Sequence, residues 1–262
     1  MYSDYHVHTA FSNDCNYPME DVIKDAITKG IKEICITEHA DYLTNDLKYV
    51  VDYNAYIKEF NRLKDLYHDQ IKMKLGVEFG MQTHTIQDFQ KDFNQYPFDF
   101  VILSCHQIQD LEFWSQEFQK GKTQQLYNHD YYQEINDVIN QYHDYSVLGH
   151  LDMIKRYDLQ GAMDDHQNEE IIKKILKKVI DDGKGIEINT SYIRYHLKDT
   201  TPSHQILKWY YELGGKILTF GSDSHEKDHL GFYIEQAKKE AKEIGFQYYC
   251  TFDKMKPIFH QL

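Results

Sequence analysis

Short apolar runs recur along the chain, and almost every one ends in a histidine or an acid. YSDYHVH opens the series, followed by IKEICIT at 31–37, IKMKLGVEF at 71–79, FDFVILS at 98–104, YSVLGH at 145–150, GKGIEIN at 183–189 and GKILTFGS at 215–222. Runs this short, rich in β-branched and aromatic residues, predict strands. Helical patterns separate most of them. In PMEDVIKDAITKG, residues Met19, Val22, Ile23, Ala26 and Ile27 repeat with helical spacing, Pro18 suits a start and Gly30 a stop. Similar patterns over 50–69, 127–142, 167–182, 203–213 and 232–243 predict further helices. Such alternation predicts a parallel sheet with helices outside, closing or nearly closing into a distorted (β/α)7 barrel, and one domain over residues 1–262. The segment 107–126 fits less well; polar and aromatic, it predicts a loop, or a lid, over a site.

The residues at the run ends set the chemistry. DYHVH carries His6 and His8, ITEH carries Glu38 and His39, GVE carries Glu78, SCH carries His106, GHLD carries His150 and Asp152, and GSDSH carries Asp223 and His225. Residues i and i+2 of a strand share a face, so His6 and His8 can converge on one ion, as can Asp223 and His225. In a parallel barrel all strand C-terminal ends meet at one rim, which makes these distant residues neighbours. A single HxH pair is short and common; six run ends in phase point to a shared metal site. Without cations, buried imidazoles and carboxylates crowded at one rim would carry a large uncompensated cost. Imidazole with carboxylate suits zinc, manganese or iron, and the four scattered cysteines form no thiolate cluster.

The set HVH at 6–8, EH at 38–39, VE at 77–78, His106, GH at 149–150 and GSDSH at 221–225 resembles the polymerase and histidinol phosphatase (PHP) family of metal phosphoesterases. HTAFSNDCNYPMEDVIKDA, GHLDMIKRY and EINTSYIRY are similar to its histidinol-phosphate phosphatase subgroup. The resemblance implies a seven-stranded barrel, three divalent metal ions and hydrolysis of a phosphate monoester, with L-histidinol phosphate the implied substrate and a hydroxide between two ions the implied nucleophile. It places His6, His8, Glu78 and Asp223 on one ion, with Glu78 bridging to a second held by His106 and His150. Asp14, His39 and His225 complete a third. Asp4, expected on the strand face of His6 and His8, competes with Asp14 for that role. Glu38 and Asp152 are expected behind His39 and His150, orienting them or satisfying backbone.

Arg156 and Arg194 each follow a run end, and the guanidinium fork matches phosphate; the resemblance makes them the expected substrate-binding pair. Tyr17, Trp114 and Tyr192 are candidate pocket rings. Asp223, His225, Glu38 and water remain open as the source of the leaving group's proton. Acids outnumber bases 42 to 29, a formal charge of −13, which argues against nucleic acid or anionic membrane as partner and calls for a locally positive site. With no spanning apolar stretch and no disulfide pattern, the expectation is a cytoplasmic enzyme with a small-molecule substrate. The same rim would also serve nucleotide phosphates or phosphotyrosine, or cleave an amide or lactone.

Overall fold

The computed structural model describes residues 2–44 and 49–262. Along the chain lie β1 (Ser3–Val7), α1 (Met19–Thr28), β2 (Glu33–Ala40), α2 (Tyr53–Leu66), β3 (Lys72–Gly80), α3 (Ile86–Gln95) and β4 (Phe100–Ser104). A small hairpin of β5 (Gln107–Ile108) and β6 (Leu111–Glu112) then precedes α4 (Gln124–Ile139), β7 (Val147–Leu148) and α5 (Glu169–Asp181). Next come β8 (Gly185–Asn189), α6 (His204–Glu212), β9 (Leu218–Gly221), α7 (Ile234–Ile244), and a final hairpin of β10 (Tyr248–Asp253) and β11 (Lys256–Gln261). Seven strands form one parallel sheet in the order β1-β2-β3-β4-β7-β8-β9. A parallel bridge from Val7 to Ser224 brings its two edges together, with His8 N–H donating to Ser224 O at 2.8 Å. The result is the nearly closed, distorted (β/α)7 barrel that the alternating pattern predicts.

Each helix lays one apolar face on the outside of the sheet. On α1, Met19, Val22, Ile23 and Ala26 are the buried set, and Pro18, which cannot donate a backbone hydrogen bond, sits at its N-cap. Outward strand residues such as Ile34, Ile36, Val77, Leu103, Ile186 and Leu218 share this layer with the helices. A second, inner cluster of Tyr5, Cys35, Phe100, Ile102 and Val147 is capped by Cys250 and Phe252 of β10. Because Phe100 and Val147 open their strands, the β10–β11 hairpin stoppers the N-terminal end of the barrel and leaves the opposite rim for the site.

Two elements lie outside the stretches read from the sequence. Helix α3 is one of them, although Ile86, Phe89 and Phe93 repeat at helical spacing and pack against the core. The terminal hairpin lies outside the barrel repeat altogether. Segment 107–126 is a hairpin followed by turns, with its last three residues already in α4, anchored by buried Phe113 and Phe118 and by Gln116 Nε2 donating to Tyr157 O at 2.8 Å.

The first strand contains a bulge: Asp4 pairs with Ile34 but Val7 with Ile36, three steps against two. This breaks the alternation on which the shared face of Asp4 and His6 was expected. Asp4 accepts from Ser222 Oγ and from the backbone N–H groups of Ser222 and Gly231, both at 2.9 Å, so it fastens the end of β9 and does not compete with Asp14.

Candidate metal centre

Glu78 stands at the middle of the rim, fully buried on the inner face of β3. Its Oε2 lies 3.0 Å from His6 Nε2, 3.4 Å from His8 Nε2 and 3.1 Å from His39 Nδ1. Its Oε1 lies 3.1 Å from His106 Nε2 and 2.8 Å from His150 Nε2, and accepts from Ser104 Oγ at 2.7 Å. One carboxylate therefore faces five imidazoles, with its two oxygens divided between two groups of them. Burial alone would raise its pKa, but His6, His106 and His39 hold it well below the usual carboxylate range. Glycine at 80 makes room beside it: a Cβ there would stand 1.8 Å from Asp41 Oδ1 and 2.5 Å from His106 Nδ1.

Around Glu78 the candidate ligands fall into overlapping groups. His6, His8 and Asp223 bring one donor atom each within 4.8 Å of one another, as do His6, Glu78 and His150, and likewise His8, His39 and His225. Asp223 Oδ1 is 3.7 Å from His6 Nε2 and 3.6 Å from His8 Nε2. The rings of His39 and His225 both lie against that of His8, at 4.1 and 4.2 Å, and 5.6 Å from each other. Half-exposed Asp14 closes that outer group, its Oδ2 3.5 Å from His39 Nε2 and 3.2 Å from His225 Nε2. Burial pushes the Asp14 carboxyl up, but the hydrogen-bonding of His225 and His39 outweighs it and holds the pKa below the ordinary value. Two of these residues occupy strained backbone: His150 has φ 21° and Asp223 φ 54°, the sparsely populated region where functional side chains are often presented.

The residues fit divalent cations. Buried nitrogens of four rings, His8 Nε2, His39 Nδ1, His150 Nδ1 and His225 Nε2, have no hydrogen-bond partner among the described residues, although orphaned buried polar atoms are ordinarily rare. Burial, with His39, His225 and His6 nearby, drives the His8 pKa well down, whereas for His6 the carboxylates of Glu187 and Glu78 overcome burial and drive it well up. Rings pressed together with opposing demands are relieved by shared cations, and imidazole with carboxylate is a donor set for zinc, manganese or iron.

Of the two roles expected for Glu38 and Asp152, orienting the ligand rings or satisfying backbone, they take the second. Glu38 does not reach His39 or the cavity; it accepts from Thr9 N–H at 3.1 Å and from the hydroxyls of Thr9 and Ser12, while Ser12 Oγ lies 3.2 Å from His8 Nδ1. Asp152 turns away from His150 to Lys155 Nζ at 2.8 Å and Ser203 N–H at 3.0 Å. The carboxylates that do touch ligand rings were not singled out in the sequence. Asp41 Oδ1 sits 2.7 Å from His106 Nδ1, and Glu187 Oε1 2.6 Å from His6 Nδ1. The alternation in GIEIN was a usable signal for Glu187, since it puts Glu187 and Asn189 on the inner face.

A cavity of about 460 Å³ opens over the centre. Its wall includes Asp14, His39, His106, His150, Asp223 and His225, together with Arg156, Arg194 and Trp114. Arg156 donates to Ser191 Oγ at 2.7 Å and to Asp223 Oδ2 at 3.4 Å, and its guanidinium lies 4.4 Å over the Tyr195 ring. Arg194 spends two donors on the backbone, reaching Ser222 O at 3.0 Å and Asp223 O at 2.7 Å, so it also braces the strained turn of Asp223. Tyr17 is hydrogen-bonded to Asp25 and, like Tyr192, is not on the cavity wall; Tyr49, Tyr157 and Tyr195 join Trp114 there.

The PHP domain family matches residues 4–191. A histidinol-phosphatase of Lactococcus lactis is 33% identical over 260 residues, covering 97% of this chain and 95% of that protein. A probable histidinol-phosphatase of Clostridium acetobutylicum is also 33% identical, covering 100% of this chain and 97% of its own. In three dimensions the chain is similar to the crystal structure of a Lactococcus lactis histidinol phosphate phosphatase complexed with zinc, L-histidinol and phosphate. The TM-score is 0.90 at 32% identity, with 98% of each chain covered.

Proposed function

The chain belongs to the PHP family, and on that footing we propose that it is a metal-dependent histidinol-phosphatase, releasing L-histidinol and inorganic phosphate in histidine biosynthesis. The observation that carries this reading is the convergence of six imidazoles and three carboxylates on one rim around Glu78, with an arginine fork on the wall of the same cavity. His6, His8 and Asp223 would hold one ion, His106 and His150 a second with Glu78 between them, and Asp14, His39 and His225 a third. Divalent ions bound there neutralise phosphate charge and make water acidic enough to attack at neutral pH. This supplies the local positive potential that a chain of formal charge −13 otherwise lacks.

The protein's own groups position the ester. Arg156 carries a buried Nε–H without a partner among the described residues, which suits a phosphate oxygen. Asp223, despite burial, is held well below the usual carboxylate range by His6 and Arg156, so it stays ionised and is a ligand rather than a proton donor. His225 turns Nδ1 to Asp223 O at 3.1 Å, which leaves Nε2, 3.2 Å from Asp14 Oδ2 and without a hydrogen-bond partner among the described residues, to face a cation. We therefore assign both residues as ligands and let water protonate the leaving oxygen. Trp114, half exposed on the wall, offers a flat face to the imidazole of the substrate. The four cysteines are free, which fits a reducing compartment and the cytoplasm.

Phosphate release by zinc- or manganese-loaded protein tests the reading. L-Histidinol phosphate should be hydrolysed with a kcat/KM at least about tenfold above nucleotide monophosphates and phosphotyrosine, a margin of about 1.4 kcal/mol in transition-state binding. Faster turnover of a nucleotide, or of an amide or lactone, would overturn it. Asp14→Ala should keep the fold, because the side chain is 51% exposed, yet lose one equivalent of metal and about 10–100-fold in turnover. Metal analysis beside steady-state kinetics reads both.

A further inference from the structure

Strand β8 supplies no ligand to the centre as read above, yet Glu187 on its inner face touches two segments that do. We infer that Glu187 is a positioning residue that sets ligands of two different ions at once; the inference rests on the assignment of His6 and His150 to separate ions. Its Oε1 lies 2.6 Å from His6 Nδ1. A carboxylate only accepts, so Nδ1 keeps its proton toward Glu187, and Nε2, 3.0 Å from Glu78 Oε2, is the nitrogen left for an ion to take in place of a proton. The other oxygen, Oε2, accepts the backbone N–H of His150 at 2.9 Å. That bond holds the residue whose φ is 21°, and it leaves His150 Nε2 2.8 Å from Glu78 Oε1.

The surroundings are shaped to this carboxylate. Glu187 is 1% exposed. At Gly221 of β9 a Cβ would stand 2.3 Å from both Glu187 Oε1 and His6 Cβ, so a bare backbone is required there. Asn189 Nδ2 lies 3.3 Å from Glu187 Oε2 and 3.3 Å from Asp223 Oδ2, tying the pair to a third ligand.

Glutamine is nearly isosteric but cannot reproduce both contacts. If its NH2 faces His150 N–H, two donors oppose each other. If it faces His6 instead, Nδ1 must become an acceptor, and the proton moves to Nε2, where the ion would bind. The test is zinc titration of metal-free protein against a chelating competitor for wild type, Glu187→Gln and Glu187→Asp, with thermal unfolding of each metal-free form alongside. Glu187→Gln should bind two zinc ions about 10–100-fold more weakly, with the third, at Asp14, His39 and His225, unchanged. Glu187→Asp, a shorter acceptor of the same charge, should recover part of the loss, and it keeps the test decisive if the glutamine variant fails to fold. Wild-type zinc affinity at all sites in Glu187→Gln, or equal weakening of all three, overturns the inference. A wild type that binds no zinc overturns the metal reading itself.

Discussion

Glu78→Gln should remove the two ions that Glu78 joins and cut phosphate release by about 10² to 10⁴-fold, the equivalent of the about 3–5 kcal/mol expected when one partner of a buried charge pair is removed. The carboxylate is fully buried and its two oxygens serve different imidazole groups: His6, His8 and His39 on one side, His106 and His150 on the other. An amide keeps the volume and can still accept from Ser104 Oγ, so the side chain continues to fill its place below the rim. It loses the negative charge and turns an N–H toward one of the two ring groups. Two ion positions should therefore suffer together, whereas Asp14→Ala should remove only the outer one. Metal analysis combined with phosphate-release kinetics on the folded variant checks this. Wild-type metal content with wild-type turnover would show that Glu78 merely fills space.

The sequence announced the rim because ligands of this kind must sit at strand ends, and strand ends are readable: apolar runs stop where polar residues begin. His6, His8, His39, Glu78, His106, His150, Asp223 and His225 all come to one place, and Asp14 joins them from the loop after β1. What lay behind them was less visible. Glu38 and Asp152 are neighbours of ligands in sequence, but the chain turns after each strand, and their carboxylates fasten the loops carrying Thr9 and Ser12, Lys155 and Ser203. The acids that touch ligand rings, Asp41 and Glu187, come from strands one removed in the barrel but distant in the chain, so that their pairing with His106 and His6 spans 65 and 181 residues. The Asp4 expectation failed for a local reason, since a one-residue bulge in β1 leaves no mark in the pattern of apolar residues. Helix α3 was legible, since Ile86, Phe89 and Phe93 repeat at helical spacing and the barrel requires a connection there.

Arg156→Ala should lower kcat/KM by roughly 10² to 10³-fold while leaving metal content unchanged, in line with the about 2–5 kcal/mol at stake in truncating one member of a desolvated charge pair. The guanidinium is only 4% exposed, is backed by Tyr195, and is held by Ser191 and Asp223, so its orientation is set before substrate arrives. Its Nε–H is buried without a partner among the described residues beside a cavity that the proposed substrate enters phosphate first. A pre-oriented donor strengthens its contact as charge builds on the transferring phosphoryl group, so kcat should fall as well as KM rise. Lysine keeps the charge but not the planar fork, and Arg156→Lys should recover only part of the loss. Arg194→Ala should act differently: its donors hold the carbonyls of Ser222 and Asp223, so its loss should loosen the Asp223 turn and weaken metal binding along with turnover. Competition by inorganic phosphate separates the two. Its inhibition constant should rise in Arg156→Ala at full metal loading, and an unchanged constant there would remove Arg156 from the phosphate site.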